Sequence, residues 1–582
     1  MNLARPSFPA PGWRWIKARL WGLEHAFERA KAAGKAEDDT RIRILVVLGL
    51  FASGFLILSI GAARMALAPS GATLAAVSGP TGSARADLVD RNGAMLAADL
   101  LHYGLYIDPR EIWDTAETRQ ALTAALPDLP AARLDRALKS DHRTFVMGAL
   151  TPEVRGRLHD LGLPGVTFEP EQHRLYPLGT TAAHLVGFAD TGGRGLSGAE
   201  LALNDIIRSG AAEHASTPLS IDLRVQAALE DELNRAAAGF SAKGAVGIVT
   251  NVHTGEVLAL ASYPIFDPNI PGRSPPDAMI NRAAASVYEM GSIFKVFTVA
   301  MGLDSGTATL ASTFDTRQPI KIGGQTIHDY HAENRIMSLV DIFIHSSNIG
   351  TSKLALQAGG GNMSKYFKRF GLMAAAPIEL TESARPILPR DWNENVVAST
   401  SFGHAISVSP LAVAAGMGSI LNGGTYVPLT IRPMKAGARP TGHRVISEDT
   451  SRAMLDIMRV NVVRGTGGKA DATGLRVGGK TGSAEKVIGG TYAREKLVSS
   501  FAAVFPTDGP LEADRYYVLI LMDEPHGTPQ TFGFATGGWT AAPVAGRVID
   551  RIAPFLGVAR RADLASTSPK AFTPAQLNGG ER

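Results

Sequence analysis

Cysteine is absent from this chain of 582 residues. No disulfide, thiolate metal site or cysteine nucleophile can therefore be built. Such a chain can pass through an oxidising compartment without mispairing. An excess of one charge is also nearly lacking, since 58 basic and 54 acidic side chains leave +4. Residues 1–43 hold nine Lys/Arg (among them Arg14, Lys17, Arg19, Arg41 and Arg43) against five acids, so the rest of the chain is neutral. The pI near 9.1 is an N-terminal property, and no nucleic-acid-binding body is indicated. Hydrophobic residues at 45% and charged residues at 19% are globular values. They exclude a mainly disordered chain, a collagen and a multi-span transporter.

The length fits three or four domain-sized units. After the basic segment 1–43 comes Ile44 to Ala63, twenty residues without a charge. At about 1.5 Å rise per residue a helix of that length spans roughly 30 Å, the hydrocarbon thickness of a bilayer. The spacing predicts a single N-terminal transmembrane helix over 44–63, with 1–43 cytoplasmic and all later residues outside. Ala66-Leu67-Ala68 resembles a signal-peptidase site, but the apolar stretch and the basic region before it are both too long for a signal peptide. No charged group interrupts any face, which argues against a buried core helix.

Residues 64–84 are small and Pro/Gly/Ser-containing, a linker. Residues 85–215 show a mixed pattern: a strand running into the Asn92-Gly93 turn, then helices around 117–127 and 131–139. This unit carries no recognisable chemistry. From 216 to 560 the pattern sharpens. Helical periodicity covers Leu223 to Ala238, and Gly244 to Thr250 with Glu256 to Ser262 form a hairpin. Val498 to Phe505 and Tyr516 to Met522 are β-rich, and Ala541 to Phe555 is helical. Strands at both ends of the unit, with largely helical and loop sequence between, predict an α+β fold: an antiparallel sheet covered by helices. Residues 561–582 read as a disordered tail.

Three short motifs carry chemistry. Ser292-Ile293-Phe294-Lys295 opens an apolar helix, Ile293 to Leu303, and the i, i+3 spacing brings the Lys295 amine to the Ser292 hydroxyl. A serine needs an adjacent base, and lysine serves when its pKa is depressed by burial or a second cation. Ser483–Lys486 has the same S-x-x-K spacing, but in a glycine-rich, strand-like context. Ser346-Ser347-Asn348 sits at a helix–loop edge, where hydroxyl and amide can hand on a proton and hold a substrate amide. Lys480-Thr481-Gly482 pairs a cation and a hydroxyl, suited to a carboxylate, with a glycine that allows close backbone approach. Gly474 to Thr481 formally matches a P-loop, yet no apolar strand precedes it and strand rather than helix follows. His328 and His331 lack further ligands, and no metal or cofactor is called for.

The order S-x-x-K, S-x-N, K-T-G in one unit is far more specific than any member. It resembles the class B penicillin-binding proteins, the monofunctional D,D-transpeptidases, with a serine β-lactamase-like catalytic unit. The likeness extends to Arg85-Ala86-Asp87-Leu88-Val89-Asp90-Arg91-Asn92-Gly93, Arg174-Leu175-Tyr176-Pro177, Gly198-Ala199-Glu200, Thr254 to Ala259, Tyr288-Glu289-Met290-Gly291, Ser401-Phe402-Gly403 and Gly465-Thr466-Gly467. Tyr288-Glu289 and Ala484-Glu485-Lys486 are similar to the cell-division type. Departures are Ser483 where Thr is common, Met290 for Pro, and Ala405 and Ala412 for Gly and Gln.

The resemblance implies peptidoglycan cross-linking during septal wall synthesis, inhibited by β-lactams, with an elongated non-catalytic module over 85–215. It implies Ser292 as nucleophile, Lys295 as base, Ser346 as proton relay and Asn348 as the group holding Lys295 and a substrate amide. Lys480 would keep Lys295 neutral, and Thr481, Gly482 and Ser483 would bind the terminal carboxylate. Backbone N–H groups of Ser292 and Ser483 would form the oxyanion hole. Implied partners are stem peptides, β-lactams, the membrane through one helix, and division proteins including a lipid-linked glycan polymerase. Alternatives are an elongation-type transpeptidase, a β-lactamase-type hydrolase, an anchored β-lactam sensor or a non-catalytic division scaffold. No E-x-x-x-N pattern lies between Ile349 and Gly479 to serve a hydrolase.

Overall fold

The computed structural model describes residues 84–213, 215–435, 437–489 and 491–561, together with 21, 22, 25, 29, 32, 47–49, 51–56, 58 and 59. The chain divides into a unit ending at Gly79 and a unit beginning at Pro80. In the first, the described residues are helical and exposed. Eleven of them fall within the expected span 44–63. The rest of that span, nearly all of the basic segment, the linker before residue 84 and the tail beyond 561 lie outside the described residues. Among the described residues, no helix is long and apolar enough to cross a membrane.

The second unit begins with the Asn-Gly turn. Asp90 Oδ1 accepts from the backbone N–H groups of Asn92 and Ala94, both at 2.8 Å, and Gly93 takes φ +86°. This turn joins β1 (Leu88–Val89) to β2 (Met95–Ile107). Helix α1 (Thr115–Ala125), capped by Asp114, and α2 (Ala131–Leu138) lie within two residues of their expected positions. β3 (Thr144–Leu150) and β4 (Val166–Leu175) both pair antiparallel with β2. β5 (Thr217–Pro218) pairs parallel with β1. Leu105, Ile107, Leu122, Leu134 and Val146 form a small core at the far end of β2. At its near end Leu88, Leu96, Leu185, Leu203 and Ile207 join the main apolar core of the following unit.

Three sequence fragments far apart in the chain meet at that near end. Arg85 Nε donates to Glu200 Oε2 at 2.7 Å, and Arg174 Nε to Glu200 Oε1 at 2.7 Å. Arg174 also pairs with Asp99 at 3.0 Å, and the Arg85 backbone N–H bonds the same carboxylate at 2.7 Å. The side chains of Arg85 and Glu200 are inaccessible to solvent. Their desolvation is offset because one carboxylate faces two guanidinium groups.

Helix α3 (Leu223–Gly239) starts at the Asp222 cap, and β6 (Gly244–Asn251) and β7 (Val257–Tyr263) form the expected hairpin. Three later strands complete the sheet: β8 (Gly478–Ile488), β9 (Thr491–Phe505) and β10 (Tyr516–Asp523). The order is β8-β9-β10-β6-β7, antiparallel throughout. β10 shows why it reads as an unbroken apolar run. Val518, Ile520 and Met522 pack with α3 and the C-terminal helix Ala541–Ile552, whereas Tyr517, Leu519 and Leu521 pack into the helical layer opposite. Each fully buried aliphatic side chain of this kind contributes about 1.5–3 kcal/mol. Helices cover both faces, as the α+β expectation requires. β8 supplies the edge: the stretch around Ser483–Lys486 reads as strand-like, the glycine-rich sequence before it carries no apolar alternation, and pairing with β9 sets the whole strand.

Removing the shared acid of the buried ion network leaves two guanidinium groups uncompensated. Glu200→Ala should lower unfolding free energy by about 3–5 kcal/mol, measured by urea denaturation of the purified protein; a loss under 1 kcal/mol would contradict the reading.

Candidate active site

Gly291 takes φ +54° and begins a single 3-10 turn, Gly291–Ile293, which runs into the helix Phe294–Asp304. Ser292 therefore stands at the head of a helix whose first nine residues, Phe294 to Gly302, are all buried. Lys295, one turn in, has no solvent exposure. The spacing read from sequence thus places hydroxyl and amine at one helix end, facing inward.

Ser346-Ser347-Asn348 links the helix Leu339–Ile344 to the helix Asn348–Arg369. Ser347 caps the second helix through the Gly350 N–H. Asp329 holds the link from outside, accepting from Ser347 Oγ at 2.7 Å and from the Ile349 N–H at 2.9 Å. Ser346 is in the left-handed region at φ +56°, a conformation costly for a residue with a Cβ and concentrated at functional sites. In it, both the Ser346 carbonyl oxygen and the hydroxyl accept hydrogen bonds from Lys295.

The constellation centres on Ser346 Oγ. It donates to Ser292 Oγ at 2.9 Å and accepts from Lys295 Nζ at 3.1 Å and from Lys480 Nζ at 2.9 Å. Lys295 Nζ also donates to Asn348 Oδ1 at 2.8 Å, and Asn348 Nδ2 to the His328 carbonyl at 3.0 Å. No hydrogen bond joins Lys295 directly to Ser292; the connection runs through Ser346. Lys480, on β8, is wholly buried and also reaches the Thr481 carbonyl at 3.2 Å. The Thr481 hydroxyl lies 2.8 Å from that of Thr466. Ser483 Oγ accepts the Gly537 N–H at 3.0 Å.

Two glycines let β8 and the turn at Ser292 touch backbone to backbone. A Cβ on Gly291 would lie 2.6 Å from the Ser483 carbonyl oxygen, and one on Gly403, at φ +85°, would collide with Gly291 itself. Both positions also need positive φ, so glycine is the residue that fits.

Burial pushes Lys295 well below its ordinary pKa, and the nearby Lys480 amine pushes it further. Burial lowers Lys480 to about 7. Two amines sharing one dry space titrate as a pair, and together they supply the neutral amine that a serine nucleophile requires.

All eight residues singled out from the sequence meet here: Ser292, Lys295, Ser346, Asn348 and Lys480 in one hydrogen-bonded cluster, Thr481, Gly482 and Ser483 along the adjoining strand. Lys486, the end of the second S-x-x-K, turns instead to Asp523 and Glu524, both at 2.7 Å. Gly478–Thr481 lies within an edge strand that continues to Ile488, so the P-loop match lacks its loop and helix. His328 contributes a backbone carbonyl. No metal-binding group of three His, Cys, Asp or Glu exists among the described residues. Sequence reading missed Asp329 and Asn461, whose Nδ2 bonds the Gly479 carbonyl at 2.8 Å. Neither belongs to a recognisable spacing, and both act by holding backbone.

The family profile of the penicillin binding protein transpeptidase domain matches residues 245–550, and that of the penicillin-binding protein dimerisation domain residues 80–196. The chain is 58% identical over 581 residues to the probable peptidoglycan D,D-transpeptidase FtsI of Caulobacter vibrioides, covering 98% of this chain and 99% of that one. It is 29% identical to the peptidoglycan D,D-transpeptidase FtsI of Escherichia coli K12, covering 80% and 83%. The crystal structure of penicillin binding protein 3 from Mycobacterium tuberculosis, complexed with aztreonam, shares the fold: TM-score 0.64 at 23% identity, covering 82% of this chain and 98% of that one.

The lysine pair sets a pH dependence. A lysine is a base only when neutral, so covalent labelling of Ser292 by an acylating probe should rise with pH as the pair loses its proton. Lys480→Gln removes the like charge, lets the Lys295 pKa climb, and should move the rising limb to higher pH. Stopped-flow labelling across pH 5–10 checks this; an unmoved or acid-shifted limb would count against it.

Proposed function

The chain belongs to the penicillin-binding protein transpeptidase family and is a peptidoglycan D,D-transpeptidase, and we propose that Ser292 is its nucleophile, served by Lys295, Ser346, Asn348 and Lys480. The observation that carries the assignment is the convergence of Ser292, Lys295 and Lys480 on Ser346 Oγ. Ser292 Oγ attacks the penultimate D-Ala carbonyl of a stem peptide, and its proton passes to the neutral lysine pair. The C–N bond then breaks. Ser346 hands a proton to the departing D-Ala amine and takes back one from the protonated lysine pair, leaving an ester on Ser292. An amine of a second stem attacks that ester, the Ser292 oxygen regains a proton, and the new amide is the cross-link. Backbone N–H groups of Ser292 and Ser483 stabilise the oxyanion in each half, an interaction worth on the order of 3 kcal/mol per donor. Lys480, Thr481 and Ser483 receive the terminal carboxylate, with Gly482 keeping the strand close to the nucleophile turn.

Septal wall synthesis is the setting. Residues 1–43 lie in the cytoplasm, 44–63 anchor the protein in the inner membrane, 64–84 link, and 216–560 work on the periplasmic side. The module 85–215 is the surface for division partners, including a lipid-linked glycan polymerase. The charge-free apolar run and the basic flank support the anchor; the cell-wall substrate, which lies outside the membrane, requires this orientation.

Incubation with a fluorescent penicillin should give an adduct on Ser292 lasting hours and absent in Ser292→Ala. Release within seconds would indicate a hydrolase, and no adduct a scaffold. Depleting the protein in cells should produce filaments by microscopy; swollen round cells would place it in elongation instead.

A further inference from the structure

Three residues before the nucleophile, one carboxyl group is left half-satisfied. The Glu289 side chain is 14% exposed. Its Oε1 accepts from the Ala405 N–H at 3.0 Å and from the Tyr492 hydroxyl at 3.4 Å. Its Oε2 is buried and has no hydrogen-bond partner. The nearest candidate, His404 Nδ1, is 3.8 Å away, beyond hydrogen-bond reach. That imidazole brings no charge, because burial and the neighbouring Lys295 lower it to about 4. An acid deprived of water and of a partner is costly, and here burial pushes Glu289 up to about 7.

The surroundings suit a cation. The His404 ring centre lies 5.2 Å from that of Phe402 and 5.2 Å from that of Tyr492. Aromatic rings attract ammonium groups over their faces. Glu485 of β8 acts electrostatically on Tyr492 and makes no ion pair among the described residues, so a second carboxyl group stands nearby. Tyr492 itself is 45% exposed on the β8–β9 hairpin, which leaves an open side. Ala405 adopts φ +61°, a strained conformation for alanine, and directs its N–H to Glu289. The loop is tied to the nucleophile turn, since the Gly291 N–H bonds the Gly403 carbonyl at 3.3 Å and Tyr288 bridges to Val408. The unpartnered oxygen is thus held in register with Ser292.

We propose that Glu289, walled by Phe402, His404 and Tyr492, binds a primary ammonium group carried by a peptidoglycan stem peptide. The inference rests on the transpeptidase reading and names the feature of the substrate that this flank selects. The ammonium donates to Oε2, ion-pairs with the carboxylate and lies against the aromatic rings. Two sources share this chemistry: the side-chain amine of the donor stem, and the attacking amine of the acceptor stem.

Kinetics on the solubilised full-length protein separate them. Donor pentapeptides with the side-chain amine free or acetylated are compared first, then acceptor KM is measured with a fixed donor. If the donor amine occupies the site, the wild type prefers the free amine by roughly tenfold or more in kcat/KM, the worth of one charge-assisted hydrogen bond, and Glu289→Gln abolishes that preference. If the acceptor amine occupies it, donor acetylation has little effect and Glu289→Gln raises acceptor KM by a similar factor. Tyr492→Leu, on the exposed hairpin, should weaken the same preference and guards against misfolding of the first variant. A wild type indifferent to both amines, or a Glu289→Gln that slows free and acetylated donors equally with acceptor KM unchanged, overturns the inference. A wild type that releases no D-Ala from any donor and takes no penicillin at Ser292 would instead sink the transpeptidase reading.

Discussion

Lys295 and Lys480 meet on the hydroxyl of Ser346 with neither side chain exposed to water and no carboxylate bonded to either. Two amines so placed repel when both are protonated, and burial disfavours the charged form of each. Everything around them holds that arrangement. The buried helix Phe294–Asp304 fixes one lysine, the edge strand Gly478–Ile488 fixes the other, and the turn at Ser346 sits between them under backbone strain. The main core exists to bring these three elements, distant in sequence, to one point.

The sequence showed the chemistry more clearly than the scaffold. S-x-x-K, S-x-N and K-T-G could be read because side-chain identities at short spacing carry the function, and all eight residues do come together. Helices with a single apolar face, such as Leu223–Gly239, were found to within a residue. Of strand β8 only the stretch around Ser483–Lys486 read as strand-like, since Gly478-Gly479-Lys480-Thr481-Gly482-Ser483 has neither alternation nor apolar character. Its conformation comes from the neighbouring strand, which is a long-range fact. The strand Met95–Ile107 was hidden for another reason: its middle is exposed on both sides, so no period-two pattern survives. Asp329 and Asn461 escaped because each bonds backbone groups, and no spacing rule marks a residue that serves a turn from a distance.

The resemblance motifs outside the catalytic unit turn out to be structural. Arg85, Arg174 and Glu200 lie in three separate segments and form one buried network at the near end of β2. With Asp99 they all belong to the module 85–215, and the network locks that module's own segments to one another. A charge network does this with directional bonds where an apolar contact would tolerate sliding.

The Ser346 hydroxyl has two lone pairs and one proton. Both lone pairs are occupied by lysine donors and the proton points at Ser292. At rest, then, the Ser292 oxygen receives a hydrogen bond and gives none to this serine. That saturation holds only while both amines donate: an amine that has lost its proton can turn its lone pair to the hydroxyl, and Ser346 can then pass a proton inward as well as outward. On the proposed roles, which way a proton crosses this oxygen is therefore decided by which of the two amines holds the extra hydrogen.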